Sequence, residues 1–190
     1  MAAPTLSVRE LRAGDIDPIA DYWLNADPSY LEGMGVDRAK MPTREEWTAM
    51  LIEQLSTPLK EKKSYALIWE VDGKPVGHSN INKIVFGQEA YMHLHIWIPE
   101  VRKKGYGVPF IRLSLPYYFT NYELQVLYCE PYALNEAPNR TMERAGFRRV
   151  KEYVTTPGWI NFEQPVRLWA MTRAEWKEAT SLADRPTGKS

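Results

Sequence analysis

The sequence predicts an α/β protein built on a mixed, mostly antiparallel sheet of about seven strands flanked by helices. Three observations carry that expectation. Short apolar or alternating runs are separated by segments with helical spacing. Asp72-Gly73 joins two of these runs as a tight hairpin. A basic stretch with two glycines leads from a strand-like run directly into a helix, between Tyr91 and Leu115.

Taken in order, Leu6 to Leu11 alternates and suits a first strand. After Gly14-Asp15, residues Ile16, Ile19, Ala20, Trp23 and Leu24 recur at helical spacing. Asn25 to Met41 is dense in Gly, Pro and Asp and reads as a loop. Its apolar residues Tyr30, Leu31, Met34 and Val36 either pin it to the body or line an acceptor pocket. Thr43 and Glu46 have capping-box spacing, and the helix they open carries Trp47, Met50, Leu51 and Leu55 on one face as far as Thr57-Pro58. Ser64 to Val71 and Lys74 to Phe86 form the hairpin, and a central strand runs from Glu89 to Ile98. Val108 to Phe119 is helical, with Pro109 in its first turn and Phe110, Ile111, Leu113, Leu115 and Tyr118 available for burial.

Leu124 to Cys129 is a continuous apolar run suited to a central strand. Asn135 to Arg144 is helical and stops at Gly146. Phe147 to Val154 and Val166 to Met171 close the sheet, and Thr172 with Glu175 opens a terminal helix. No repeat or low-complexity linker divides the chain, so residues 1–182 are expected to form one domain and 183–190 a flexible tail. Gly188-Lys189-Ser190 imitates the end of a nucleotide-binding loop, but Asp184 stands where that loop needs a glycine.

Lys plus Arg and Asp plus Glu each number 24, so no overall field draws the chain to nucleic acid or a membrane, and any basic site is local. The single cysteine, Cys129, excludes an internal disulfide framework and fits a reducing compartment. There is no zinc-type Cys/His spacing, so no metal is expected. No leader-like segment opens the chain and no apolar run reaches about eighteen residues, so a cytoplasmic protein is expected.

The basic stretch carries the chemistry. Gly105 and Gly107 leave room for close backbone approach. The amides of Lys103, Lys104, Gly105, Tyr106 and Gly107 can then converge on one anion at the positive end of the following helix dipole, with charge from Arg102. Such a segment either cradles a phosphate or is simply a tight basic turn.

The pattern Arg-x-x-Gly-x-Gly from Arg102 to Gly107 resembles the pyrophosphate loop of the GCN5-related N-acetyltransferase (GNAT) superfamily. Asn135 to Phe147, NEAPNRTMERAGF, resembles the segment after that family's fifth strand, nearest the ribosomal-protein-alanine and aminoglycoside-type acetyltransferases. The order of elements matches as well. The resemblance implies central strands that splay to hold acyl-CoA. It also implies transfer of an acetyl group from acetyl-CoA to a primary amine, on a small molecule or a protein N-terminus, by direct attack. A non-catalytic acyl-CoA sensor of the same fold is the alternative. Cofactor contacts are implied from Ile96, Trp97 and Ile98, from Arg102 through Lys103, Lys104, Gly105, Tyr106 and Gly107 to Val108, and from Asn135. The Ile98 amide would polarise the thioester carbonyl. Pro138 replaces a serine that contacts the cofactor, and Met142 stands where a tyrosine often serves as acid.

An ammonium group must lose its proton before attack, so a base is needed, directly or through water. Alternation puts Tyr91, His93, His95 and Trp97 on one strand face and Met92, Leu94, Ile96 and Ile98 on the other. His93 and His95 are candidate bases or hydrogen-bonded structural histidines. The resemblance to the ribosomal-protein acetyltransferases makes Glu130, five residues before Asn135, a rival base; otherwise it is a solvated strand-end carboxylate. Tyr128 and Tyr132 are substitute acids or core residues. His78, Asn80 and Asn82 alternate toward one face and either line the acceptor side or satisfy a turn or sheet edge. Tyr30, Trp159 and Phe162 point to an apolar or cationic acceptor. Trp159 lids the acceptor pocket, packs on the exposed surface or forms a homodimer contact.

Overall fold

In the computed structural model, which describes residues 3–183, alternation along the strands gives one sheet two buried faces. The strands are β1 (Leu6–Glu10), β2 (Tyr65–Val71), β3 (Lys74–Val85), β4 (Glu89–Ile96), β5 (Val126–Cys129), β6 (Arg148–Thr155) and β7 (Gln164–Thr172). Their spatial order is β1-β2-β3-β4-β5-β7-β6, and every neighbouring pair is antiparallel except β4 and β5. The helices are α1 (Ile16–Asn25), α2 (Pro28–Gly33), α3 (Arg44–Ser56), α4 (Gly107–Asn121), α5 (Glu136–Ala145) and α6 (Arg173–Ala183).

On one face Leu67, Trp69, Ile81 and Met92 meet Phe110, Ile111, Tyr118 and Phe119 of α4, with Met142 and Ala145 of α5. On the other, Ala66, Ile68 and Trp97 meet Ile16, Ile19 and Trp23 of α1, and Leu51 of α3. Caps begin the helices where local chemistry asks for them. Thr43 Oγ1 accepts from the Glu46 amide at 3.2 Å while Glu46 Oε2 accepts from the Thr43 amide at 2.8 Å. Thr172 and Glu175 repeat the arrangement at the start of α6.

The structure departs from the sequence reading at several points. Asn25 to Met41 is not all loop: Asp27 accepts from the Ser29 and Tyr30 amides and caps α2. The central strand ends at Ile96, and Ile98 leads into a single turn over Pro99–Val101. Helix α4 continues through Pro116 to Asn121. Leu24, Leu55 and Leu113 are exposed, whereas Tyr22, Ser114 and Phe119 are buried. Residues 184–190, with most of the expected flexible tail and the Gly188 motif, lie outside the described residues.

Buried polar groups tie the sheet to α4. Trp69 Nε1 donates to Ser114 Oγ at 3.0 Å, Ser114 Oγ donates to the Phe110 carbonyl at 2.9 Å, and Ser79 Oγ lies 2.6 Å from Tyr118 Oη. Ser114→Ala strands the indole N–H in an apolar core and should cost about 1–3 kcal/mol in urea unfolding. Leu113→Ala, on the exposed side of the same helix, should cost under about 0.5 kcal/mol.

Candidate active site

The site begins where two parallel strands part. β4 and β5 pair only through Glu89, Ala90 and Tyr91 against Val126, Leu127 and Tyr128. Beyond Tyr91, β4 still pairs with β3 as far as Ile96, but its other edge has no strand beside it. A cavity of about 570 Å³ opens into this gap. Met92, Leu94, Cys129, Asn135 and Pro138 line it on the side of the open strand edge, and His78, Asn80, Asn82, His93 and His95 on the side of α1 and α3.

The loop after β4 presents a row of backbone donors. Among the described residues, the amides of Ile98, Lys103, Lys104, Gly105, Tyr106, Gly107 and Val108 have no protein acceptor. Lys103 and Gly105 sit at φ 62° and 81°, which turns the loop tightly ahead of α4. A Cβ on Gly107 would come within 3.0 Å of Thr141 Cγ2 of α5, so glycine lets the two helices close up there. Arg102 behaves differently from its basic neighbours. Its Nε donates to the Ile96 carbonyl at 3.0 Å, a terminal nitrogen donates to the Trp97 carbonyl at 3.2 Å, and its guanidinium covers the Tyr30 ring at 3.9 Å. Lys103 and Lys104 are exposed.

Trp97 is turned away from the loop. Its amide donates to the Val76 carbonyl and its indole N–H donates to His78 Nδ1 at 2.7 Å. That bond places the His78 proton on Nε2. His78 stacks on His95 with ring centroids 4.8 Å apart, and His95 Nδ1 lies 3.3 Å from Tyr22 Oη, which is 3.2 Å from Tyr30 Oη. His93 Nε2 lies 3.1 Å from Asn82 Oδ1. With that oxygen as acceptor, the proton sits on Nε2 and Nδ1 keeps its lone pair. His78 is buried, whereas His93 and His95 are half-buried where they line the cavity, and in each the loss of water disfavours the charged form. Burial brings His78 down to about 3 and His93 down to about 4, where Glu130 opposes the shift and Lys83 adds to it. Burial and its histidine neighbours hold His95 well below its ordinary value.

Glu130 is a buried carboxylate and not a solvated one. Lys83 Nζ reaches Oε1 at 2.7 Å, and Tyr153 Oη donates to Oε2 at 2.5 Å. Lys83 leaves β3 at an irregularity with φ 48° and crosses the Tyr91 ring at 4.5 Å to make this contact. Tyr128 packs against Tyr91 with the rings tilted by 33° and 5.1 Å between centroids, and lies outside the cavity lining. Tyr132 lines the cavity, and Met142 is fully buried in the core. Asn135 precedes α5 and its side chain makes no hydrogen bond among the described residues, whereas Asn139 fixes that turn through the Tyr132 and Asn135 carbonyls. Trp159 is exposed at the cavity wall, and Tyr30 sits beneath Arg102 outside the lining.

A family model described as an acetyltransferase (GNAT) domain matches residues 5–148. The chain belongs to that family. Solved structures agree on the fold of this GNAT protein. Spermidine N-acetyltransferase from Vibrio cholerae, in complex with CoA and spermine, is 19% identical at a TM-score of 0.74, covering 90% of this chain and 98% of that one. A ribosomal L7/L12 alpha-N-protein acetyltransferase in complex with coenzyme A is 12% identical at 0.72, covering 90% and 96%. An aminoglycoside acetyltransferase in complex with coenzyme A and kanamycin is 16% identical at 0.71, covering 93% and 99%. No curated protein sequence matches significantly. Among the described residues no His, Cys, Asp or Glu cluster is arranged to hold a metal, and no helix is long and apolar enough to cross a membrane.

Sequence reasoning missed Tyr22, which reaches His95, and gave Trp23 and Trp47 only a packing role although both line the cavity of this GNAT domain. Aromatic residues among the aliphatic ones on the inner faces of α1 and α3 were the available signal. The buried histidines also set a pH dependence. Their folded pKa values lie below the unfolded value, so their contribution to stability is present above about pH 6.5 and is lost as pH falls toward about 4 for His93. Urea unfolding between pH 7 and pH 4 should show stability falling with acidity. His93→Gln should remove a share on the order of 3 kcal/mol from that change.

Proposed function

We propose that this chain transfers the acetyl group of acetyl-CoA to a primary amine by direct attack, residues 1–182 acting as one acetyltransferase domain. The observation that carries the reading is a conjunction. A row of unpartnered amides at the N-terminus of α4 adjoins the open edge of β4, and both meet a cavity. Unpaired backbone donors at a helix start suit a pyrophosphate. The unpaired edge between Met92 and Ile96 suits an amide-bearing chain that can pair as a short strand, as the pantetheine arm of coenzyme A would.

In this reading the amides of Lys103 to Val108 hold the pyrophosphate, and Lys103 and Lys104 add charge from solvent. Asn135 offers its free side-chain amide to the pantetheine arm, and Ile98 its N–H to the thioester carbonyl. Arg102 acts indirectly, tying the loop to Ile96, Trp97 and Tyr30. The amine attacks the carbonyl carbon, the C–N bond forms, and negative charge collects on the oxygen opposite the Ile98 amide. His93 Nδ1 then accepts the proton made acidic by C–N bond formation. The C–S bond breaks, and the thiolate leaves and takes up a proton. A thiol pKa of about 8.5 makes it a fair leaving group without a strong acid, consistent with Met142 at the position where the family often has a tyrosine. Glu130, with both oxygens engaged, orients the strand end instead of taking protons.

Acetyl-CoA at about 100 times its Kd should stabilise the fold by about 2.7 kcal/mol and raise the melting midpoint by several degrees. Gly107→Val should abolish most of that rise and increase KM for acetyl-CoA at least about tenfold, because the new side chain meets Thr141 and prises the loop from α5. A thermal shift without thiol release for any amine would mark a sensor and contradict the proposal.

A further inference from the structure

We propose that the acceptor is a primary amine with a compact apolar or aromatic body, and that it enters the cavity as the uncharged free base. The inference deepens the acetyltransferase reading above and rests on it.

The body of such an acceptor has a wall to pack on. Ile19 and Trp23 from α1, Trp47, Met50 and Leu51 from α3, and Val36 line the cavity together. Trp23 and Trp47 are stacked, with ring centroids 5.5 Å apart and planes 8° from parallel, and Trp159 leans on Trp47 at 6.0 Å. Flat indole surface of this kind packs well against a planar or branched apolar group.

A cation finds little to hold it. An ammonium group taken from water needs a free carboxylate or an open aromatic face. The buried carboxylate of the lining is Glu130, and its two oxygens are taken by Lys83 and Tyr153. Glu53 and Glu61 are exposed and share their side of the lining with Lys62 and Lys63, so the four charges cancel. Among the indole rings of the lining, Trp23 and Trp47 cover one face of each other, and Trp159 leans on Trp47.

The remaining ionisable groups facing the cavity are His78 on β3, His93 and His95 on β4, Cys129 at the end of β5, and Tyr132 beyond it. Burial keeps the three imidazoles neutral and pushes the Cys129 thiol up, so neither group supplies negative charge. Desolvation in this lining therefore favours the neutral amine, which is also its nucleophilic form. The weakly basic His93 is then sufficient, because it is asked only for the proton of the tetrahedral adduct and never for that of a free ammonium ion.

Thiol release by the full chain with acetyl-CoA tests the inference on 2-phenylethylamine, its less basic β,β-difluoro analogue, spermidine and kanamycin. We expect kcat/KM for 2-phenylethylamine to exceed that for spermidine or kanamycin at least about tenfold. Its pH profile should rise and level off above the acceptor's own pKa, with the midpoint moving down for the difluoro analogue. Trp47→Ala should lower kcat/KM for 2-phenylethylamine about tenfold at an unchanged KM for acetyl-CoA. Met50→Glu, which adds a carboxylate to the lining, should shift preference toward spermidine. Equal or better use of spermidine or kanamycin overturns the acceptor class and leaves the acetyltransferase reading standing. A profile that falls above the acceptor's pKa overturns free-base entry. No turnover of any of the four amines, with acetyl-CoA bound, overturns both readings.

Discussion

The parting of β4 from β5 after three residue pairs is the constraint on which the site depends. Both strands are held to it by their other neighbours. β4 stays hydrogen-bonded to β3 as far as Ile96, while the chain leaving β5 turns to β7. Ala133 donates to the Pro165 carbonyl, Arg167 donates to the Pro131 carbonyl, and Tyr132 bridges to Val166. Glu130 fixes the branch point from both sides, through Lys83 of β3 and Tyr153 of β6. The gap is thus imposed by competing pairings, and the free edge of β4 is their product.

Electrostatics divides the two ends of this gap. At the loop end, backbone donors and exposed lysines collect where α4 begins. At the far end His78 stacks on His95, which lies against Tyr22 and Trp23, and desolvation disfavours the charged form of both and of His93 on the same strand face. A polyanionic ligand and a neutral nucleophile are what these two environments favour. A line of contacts joins them: Arg102 lies on Tyr30, Tyr30 meets Tyr22, and Tyr22 reaches His95. The residue that begins the glycine motif therefore braces His95 at the cavity wall as well as the loop.

Features set by nearby residues were legible in the sequence. The capping pairs Thr43 with Glu46 and Thr172 with Glu175 depend on side chains three positions apart, and both form. The face shared by His93, His95 and Trp97 follows from strand alternation, whereas the neighbour that crowds Gly107 is Thr141 of α5, which the sequence did not announce. What was not legible depends on partners remote in sequence. Nothing near Glu130 announces that Lys83 and Tyr153 will occupy it, nothing near Arg102 that its guanidinium will lie on Tyr30, and nothing near Tyr22 that its hydroxyl will meet His95. Helix α2 escaped because six residues are too few for a periodic signal, and its cap and packing hold it instead. Pro116 is exposed in α4, so the helix loses one backbone bond there without breaking its buried face.

The central claim is that the amides after β4 are a ligand's partners. Residue-resolved amide hydrogen exchange, with and without acetyl-CoA, tests it most directly. The account predicts fast exchange at Lys103 to Val108 in the free protein and marked slowing there when acetyl-CoA is added, accompanied by slowing along the open edge of β4. Protection elsewhere, with these amides exchanging as before, would contradict it.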